Sequence, residues 1–439
     1  MTPQDIKIPN GWLVKSIGQL FDHIYRYPTY YNIEYVESGI PEIRGELLLE
    51  DGGINKDKNV FRFISLKTSM RFSKTILKEG DFVISVRGTM GKVGYIDKDL
   101  EGSNITANLI RMSPNRILVN PLFIKQVFVS EYFQGQLGLI SSQTTIKTIK
   151  VPELKSILIK VPPPPEQSKI TAILSTVDKA IEKTDELISK YKRIKQGLMQ
   201  DLFRYGIDEN GQIRSEKTHK FKDSPFGRIP EEWKVKRFSE LNIEVIDGDR
   251  GENYPTEKEL LGDGYCVFLN NKNIENGKFI FDTTQFISEE KDKKLRKGKL
   301  FPEDIVITTR GTVGNISYFD KATKFKIIRI NSGMIIIRNY QTNFMPIFFL
   351  NLWNYIFEKQ YSLFQSGSAQ PQLPIRILNY FHFIKPEVPE QSRIAYILSQ
   401  ANETIEKEVK YKRKLISLKR GLMEDLLSGK LRVNYLINK

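Results

Sequence analysis

Two short turns carry the same arginine. RGTMG runs from Arg87 to Gly91 and RGTVG from Arg310 to Gly314, each following a strand-like run, DFVISV and DIVITT. A guanidinium is always charged and forks onto two acceptors at once. At the base of a glycine turn, the chemistry open to it is recognition of a phosphate or of a guanine edge. Other polar groups in loop-like segments extend the set. In the first half of the chain they are Arg44 in PEIRGE, Lys92, and Gln143, Thr145 and Lys147 in SSQTTIK. In the second half they are Arg250 in DGDRGENYP, Asn270, Asn271 and Lys272 in FLNNKNI, and Gln370 and Gln372 in SGSAQPQLP. Asn and Gln fork onto adenine as Arg does onto guanine. The alternative for each residue is solvated surface, and for the repeated turn a hairpin whose backbone requires glycine.

Other chemistry is missing from the sequence. GTMGKVG, Gly88 to Gly94, has the wrong glycine spacing for a dinucleotide loop and lacks the Gly-Lys-Ser/Thr of a phosphate-binding loop. NPLF, Asn120 to Phe123, lacks the second proline of the Asn-Pro-Pro-Tyr tetrapeptide of DNA-base methyltransferases. Its proline pairs with Pro346 of the other half, where the asparagine is gone, so a structural role is expected. DGDRGENYPTEKE, Asp247 to Glu259, puts Gly251 and Glu252 where a calcium loop needs a ligand and a glycine. A single cysteine, Cys266, and three scattered histidines leave no zinc cluster, and no nuclease cluster stands out. The chain reads as a binder with no catalytic, metal or cofactor site of its own.

Its charge names the class of partner. In 439 residues, 67 Lys+Arg against 52 Asp+Glu leave a net charge of +15. Such a surplus favours an anionic partner, nucleic acid first and anionic membrane second, because neutralising phosphates releases condensed counterions. The N-terminus lacks the apolar core of a signal peptide, and no apolar run is long enough to span a bilayer. With one cysteine, a soluble cytoplasmic protein without membrane contact is expected.

The elements that position these turns are duplicated. Asp81 to Asp97 matches Asp304 to Asp320, PEQSKITAILS (Pro165 to Ser175) matches PEQSRIAYILS (Pro389 to Ser399), GLMQDL at Gly197 matches GLMEDL at Gly421, and Trp12 answers Trp233. The four landmarks keep one order at offsets of 223, 224, 224 and 221 residues. Each copy opens with a mixed segment of short β-rich runs between Gly, Asn and Pro, which reads as an α/β module. After PPPPEQ or VPEQ the apolar period changes to that of a helix, with proline suited to the first turn and the acid to its positive end. Leu174, Val177, Ile181, Leu187, Tyr191, Ile194, Leu198 and Leu202 form one seam, and Leu398, Ala401, Ile405, Tyr411, Leu415, Leu418, Leu422 and Leu426 its counterpart. Two helices of ~35 residues, roughly 50 Å long, are expected to pack as a coiled coil. Thr184 and Glu408 interrupt the seam, where charged pairing between the helices would compensate.

The ordered duplication of PEQSKITAILS, KRIKQGLMQDLF, DSPFGRIPEEWKV, VPEQSRIAYILS and LKRGLMEDLLSGKLRV around two divergent modules resembles the specificity subunit of type I restriction-modification systems, over nearly the whole chain. The resemblance implies an α/β fold class. Target-recognition domains at 1–164 and 221–388 are separated by two long helices, 165–205 and 389–430, forming an antiparallel coiled coil in a pseudo-two-fold internal repeat. A linker at 206–220 and a tail at 431–439 complete the chain. It implies double-stranded DNA as ligand, each module reading one half of a bipartite, asymmetric target, and the helices as the ruler that fixes the spacer. It implies two modification subunits and restriction/motor subunits as partners, which bring S-adenosylmethionine, ATP and Mg, with no cofactor in this chain. A coiled-coil scaffold with non-specific nucleic-acid binding is the alternative. It accounts for the charge and the helices but gives no reason for two divergent modules.

Overall fold

The computed structural model describes residues 8–26, 33–88, 90–141, 148–275, 277–364 and 371–437. The chain folds into two compact units, one of residues 1–186 and 409–439, the other of residues 187–408.

Unit 1 is built on a four-stranded antiparallel sheet. Its strands are β1 (Phe21–Arg26), β2 (Phe82–Ser85), β3 (Val93–Tyr95) and β4 (Leu109–Pro114), in the order β1-β4-β2-β3. Strand β2 is buried on both faces, which is why it reads FVIS without polar alternation. Phe82 and Ile84 join a core with helix α1 (Pro121–Phe128), while Val83 joins Ile43, Leu48 and Ile105 on the opposite face. That second face is covered by a smaller sheet in which Ile40–Ile43 runs parallel to Asn104–Ile105. Asn120 caps α1, its side chain accepting from the Leu122 N–H at 2.9 Å, with proline in the first turn. NPLF is therefore a helix start.

A long helix, α2 (Pro164–Arg204), begins in unit 1 and ends in unit 2. Unit 2 repeats the sheet with β5 (Glu244–Asp247), β6 (Ile305–Thr308), β7 (Ile316–Tyr318) and β8 (Met334–Arg338), ordered β5-β8-β6-β7. Ile305 and Ile307 pack toward α3 (Pro346–Tyr361). Val306 faces the small sheet, where Cys266–Leu269 runs parallel to Ile328–Ile330. The helix α4 (Val388–Ser428) then leads back into unit 1. Both long helices have 41 residues, longer than the seam spacing suggests.

The repeated landmarks are structural joints. In unit 1 the Glu166 carboxylate accepts from Trp12 Nε1 at 2.9 Å and from Arg432 Nε and Nη2 at 2.8 and 2.9 Å. In unit 2 Glu390 accepts from Trp233 Nε1 at 2.9 Å, from the Ile207 N–H at 2.9 Å and from the guanidinium of Arg214. Each glutamate is almost wholly buried. Gly206 and Gly429 follow the two helix ends with left-handed backbones, φ +69° and +77°. A Cβ on Gly206 would lie within 2.6 Å of Glu390, Arg214 and Trp233, so the helix stop and the ion pair share one space. The glutamine beside each glutamate ties down a loop. Gln167 accepts from the Asn120 N–H (2.8 Å) and donates to Pro162 O (2.9 Å); Gln391 accepts from the Met345 N–H (3.0 Å) and donates to Pro386 O (3.0 Å).

Within unit 1, Asp178 pairs with Lys419 and Asp185 with Lys412, both at 2.6 Å. Seven residues forward on α2 match seven backward on α4, so these segments run antiparallel. Within unit 2, Leu202 and Phe203 share a core with Ile394 and Leu398. The seam differs from the sequence expectation at four places: Leu187, Ile194, Tyr411 and Leu418 are 39%, 45%, 52% and 52% exposed. Alternating three- and four-residue steps carry burial through Thr184 and Ile188 instead. The Thr184 hydroxyl tolerates this because it donates to Ala180 O at 2.7 Å. Lysine stems occupy other seam positions. Lys412 and Lys419 pair with aspartates, and burial lowers the pKa of Lys195.

Candidate nucleic-acid interface

In unit 2 the ends of β5 and β6 flank β8 at one level, because both register against Ile335, Asp247 from one side and Ile307 from the other. Arg250 follows β5 in a loop, and Thr309 and Arg310 follow β6. Gln372 pairs with Arg310 in an isolated antiparallel bridge, and the Leu373 N–H donates to Thr309 O at 2.9 Å. Together these segments enclose a hollow of about 270 Å³ lined by Asp247, Arg250, Thr309, Arg310, Ile335 and Gln372. Three residues expected from sequence to contact DNA, Arg250, Arg310 and Gln372, thus meet at one site.

The backbone around the hollow is fixed by local bonds. Asn271 Nδ2 donates to Arg310 O, and Asn270 holds its own turn by accepting from the Lys272 N–H at 2.9 Å. Gly311 and Gly314 take φ +71° and +91°, matching Gly88 and Gly91 at +72° and +86°. The repeated Arg-Gly-Thr-x-Gly is a turn that L side chains would strain, and it presents its arginine outward in both copies. Asp249 bonds to the backbone N–H groups of Gly251 and Arg296, which hold its carboxyl below the ordinary value and shape the loop that carries Arg250. Arg250 is half exposed and touches Asp247 Oδ1 and Ser332 O only at 3.4 Å. An exposed pair of this kind contributes ~0–1 kcal/mol, so exchanging it for another acceptor costs little.

Unit 1 uses the same frame with different groups. Arg26 ends β1 and registers against Ile110 of β4; Ile84 of β2 registers against Ile110 from the other side, three residues before Arg87. Lys92 pairs with Glu50 at 2.6 Å beside a second hollow of about 500 Å³ that reaches Gly88 and Gln134. Arg44 is not presented outward. Its guanidinium donates to Val60 O at 2.6 Å and pairs with Glu46, and its side chain is 15% exposed. Lys272 is exposed beside the second-unit turn. Gln143, Thr145, Lys147 and Gln370 lie outside the described residues.

Sequence reading missed Arg26 and Asp247. Both sit at the end of a strand, where loop-based selection does not look. The signal lay in the repeat: aligning Trp12 with Trp233 superposes Arg26 on Asp247, a reversal of charge at one position. Among the described residues no group of three His, Cys, Asp or Glu side chains is placed to hold a metal ion, and no helix is long and apolar enough to cross a membrane.

Comparison with known proteins adds a family. A family model described as the type I restriction modification DNA specificity domain matches residues 9–190 and again residues 230–415. The MjaVIII type I restriction enzyme specificity subunit of Methanocaldococcus jannaschii is 24% identical over 442 residues, covering 98% of this chain and 95% of that protein. The putative MjaX specificity subunit of the same organism is 28% identical over 354 residues, covering 78% and 76%. Among solved structures, the S subunit of a type I restriction-modification system from M. genitalium aligns with a TM-score of 0.53 at 17% identity, covering 97% of this chain and 99% of that one. A chain from a study of the assembly and conformational transition of the type I R-M system aligns with a TM-score of 0.56 at 16% identity, covering 97% and 100%. These two likenesses carry the fold.

Proposed function

The chain belongs to the type I restriction modification DNA specificity family, and from that premise we propose how its two units divide the work. It is the non-catalytic DNA-recognition subunit of a type I restriction-modification complex, and its two specificity domains read a bipartite target. Unit 2 reads one half-site through Arg250, Arg310 and Gln372, and unit 1 reads the other through Arg87 and its neighbours. The observation that carries this division is the paired frame: one sheet order and one Arg-Gly-Thr-x-Gly turn recur in both units, while the groups at the strand ends differ. A frame conserved between copies with divergent rims suits an asymmetric target.

The finer reading concerns the helices and the partners. The two 41-residue helices form an antiparallel coiled coil that sets the spacer between half-sites. Each would be ~60 Å long, against ~34 Å for one turn of DNA. The reversed order of the Asp178–Lys419 and Asp185–Lys412 pairs supports this arrangement. Two modification subunits bind the chain and bring S-adenosylmethionine to adenine. Restriction/motor subunits bring ATP and Mg, and the complex works in the cytoplasm. The scaffold alternative has no use for a hollow that gathers Arg250, Arg310 and Gln372. The test is co-expression with the cognate modification subunit followed by purification of the complex and mapping of methylated adenines. A split motif is expected, and methylation without sequence preference would favour the scaffold.

A further inference from the structure

We propose that a single strand-end position, occupied by Arg26 in unit 1 and by Asp247 in unit 2, helps decide which base each half-site accepts, by offering a hydrogen-bond donor in one unit and an acceptor in the other. The inference rests on the DNA-recognition reading and adds to it residues and a chemistry. The two positions are equivalent by topology. Arg26 registers against Ile110 and Asp247 against Ile335, each on the strand that separates the position from the arginine turn. Two strand spacings, about 10 Å at the backbone, divide each residue from the strand that leads into that turn. In unit 2 Asp247 and Arg310 line one hollow, and in unit 1 Arg26 lies close enough to Arg87 for the two charges to interact.

In unit 1 the result is a pair of like charges. Burial lowers the Arg26 pKa, and the nearby charge of Arg87 lowers it further. The Arg26 Nε is buried and has no hydrogen-bond partner among the described residues. Neither arginine forms an ion pair among the described residues, and the sequence after Arg26, from Tyr27 to Asn32, contains no carboxylate. Two guanidiniums close enough to interact, with no ion-pair partner among the described residues, are suited to acceptors arriving from outside, and guanine offers two, O6 and N7.

In unit 2 the equivalent carboxylate faces the hollow beside Arg250, Arg310 and Gln372. Its Oδ1 is 3.4 Å from Arg250, and its Oδ2 has no hydrogen bond among the described residues. A carboxylate accepts only, and it is repelled by DNA phosphates. On a surface that binds DNA its favourable partners are the amino groups of cytosine N4 or adenine N6. Unit 1 therefore favours guanine at the base under Arg26, and unit 2 favours an amino-bearing base under Asp247.

The test uses the full chain in complex with its cognate modification subunits. Methylation motifs and duplex binding are measured for wild type, Arg26→Met, Arg26→Lys and Asp247→Asn, with duplexes changed one base at a time. Arg26→Met should cut discrimination at one position of the first half-site by roughly ten-fold or more, leaving the second half-site intact as an internal control of folding. Arg26→Lys keeps the charge but loses the fork, and should keep binding while losing most of that discrimination. Asp247→Asn should relax one position of the second half-site only. Uniform weakening at every base, with a shallower salt dependence, would make Arg26 a phosphate contact and overturn the proposal. Unchanged motifs in all three variants would overturn it as well. A wild-type complex without any split motif would defeat the recognition reading itself, an outcome distinct from either.

Discussion

Arg432 stands 266 positions after Glu166, and the two form a two-pronged ion pair, with Nε and Nη2 at 2.8 and 2.9 Å from the carboxylate oxygens. Arg214 does the same for Glu390 in the other unit, so the segment that follows each long helix closes on the start of the other one. The glutamates are buried, and removing one partner of a buried pair leaves an uncompensated charge. Glu166→Ala should destabilise the protein by about 3–5 kcal/mol. Glu390→Ala should cost a similar amount. Thermal or denaturant unfolding of the purified chain checks this, and a change confined to the surface-mutation range would contradict the joint.

The same joint carries a pH dependence. Burial alone would raise the Glu166 carboxyl, but the bonds from Arg432 and Trp12 outweigh it and hold its pKa below the ordinary value. A group with a depressed folded pKa contributes stability that is fully present above the unfolded carboxylate pKa, ~4.3, and lost as pH falls through the folded one. Melting temperature followed from pH 7 downward should fall below that range in wild type, and this component should be absent in Glu166→Gln.

Arg250 is offered to the solvent by a loop that Asp249 shapes from its own backbone bonds, so its truncation should leave the fold intact. Arg250→Ala should relax or weaken the half-site of unit 2 by about 1–3 kcal/mol at one position. Methylation mapping reads this directly. Equal loss at both half-sites would instead mark a general phosphate contact.

Cys266 lies in a buried strand, and burial together with the charge of Asp292 pushes its thiol up to about 12. The thiolate is the reactive form, so the native chain should resist alkylation near pH 8 and react once unfolded. Rapid labelling of the folded chain would contradict the placement of this strand.

Much of this architecture was legible in the residues. Trp12 and Trp233, the two Pro-Glu-Gln segments and the Arg-Gly-Thr-x-Gly turns keep their spacing because each makes a bond that its copy also makes. Arg214 and Arg432 were not legible as partners of Glu390 and Glu166, because each lies far along the chain in a short segment with little repeated sequence. The seam was misread where Leu187 and Ile194 suggested burial, since apolarity alone does not resolve which of two adjacent helical positions faces inward. Arg44 shows the opposite error: a loop arginine of suitable type is occupied by Val60 O and Glu46. Arg26 and Asp247 escaped notice because strands are read for packing, and position matters there more than residue type.

Four residues inserted between Lys183 and Ser189 of α2 add about one helical turn, ~5.4 Å. The spacer of the methylated motif should lengthen by roughly one or two base pairs, at ~3.4 Å each, with both half-sites unchanged. An unchanged spacer would remove the helices from the role of ruler.

The central claim, that two halves of one chain read two halves of one DNA target, is tested most directly by mapping methylated adenines in a host that expresses this chain with its cognate modification subunit. The account predicts a motif of two defined parts with a fixed gap. A continuous motif, or methylation indifferent to sequence in the presence of a stable complex, would contradict it.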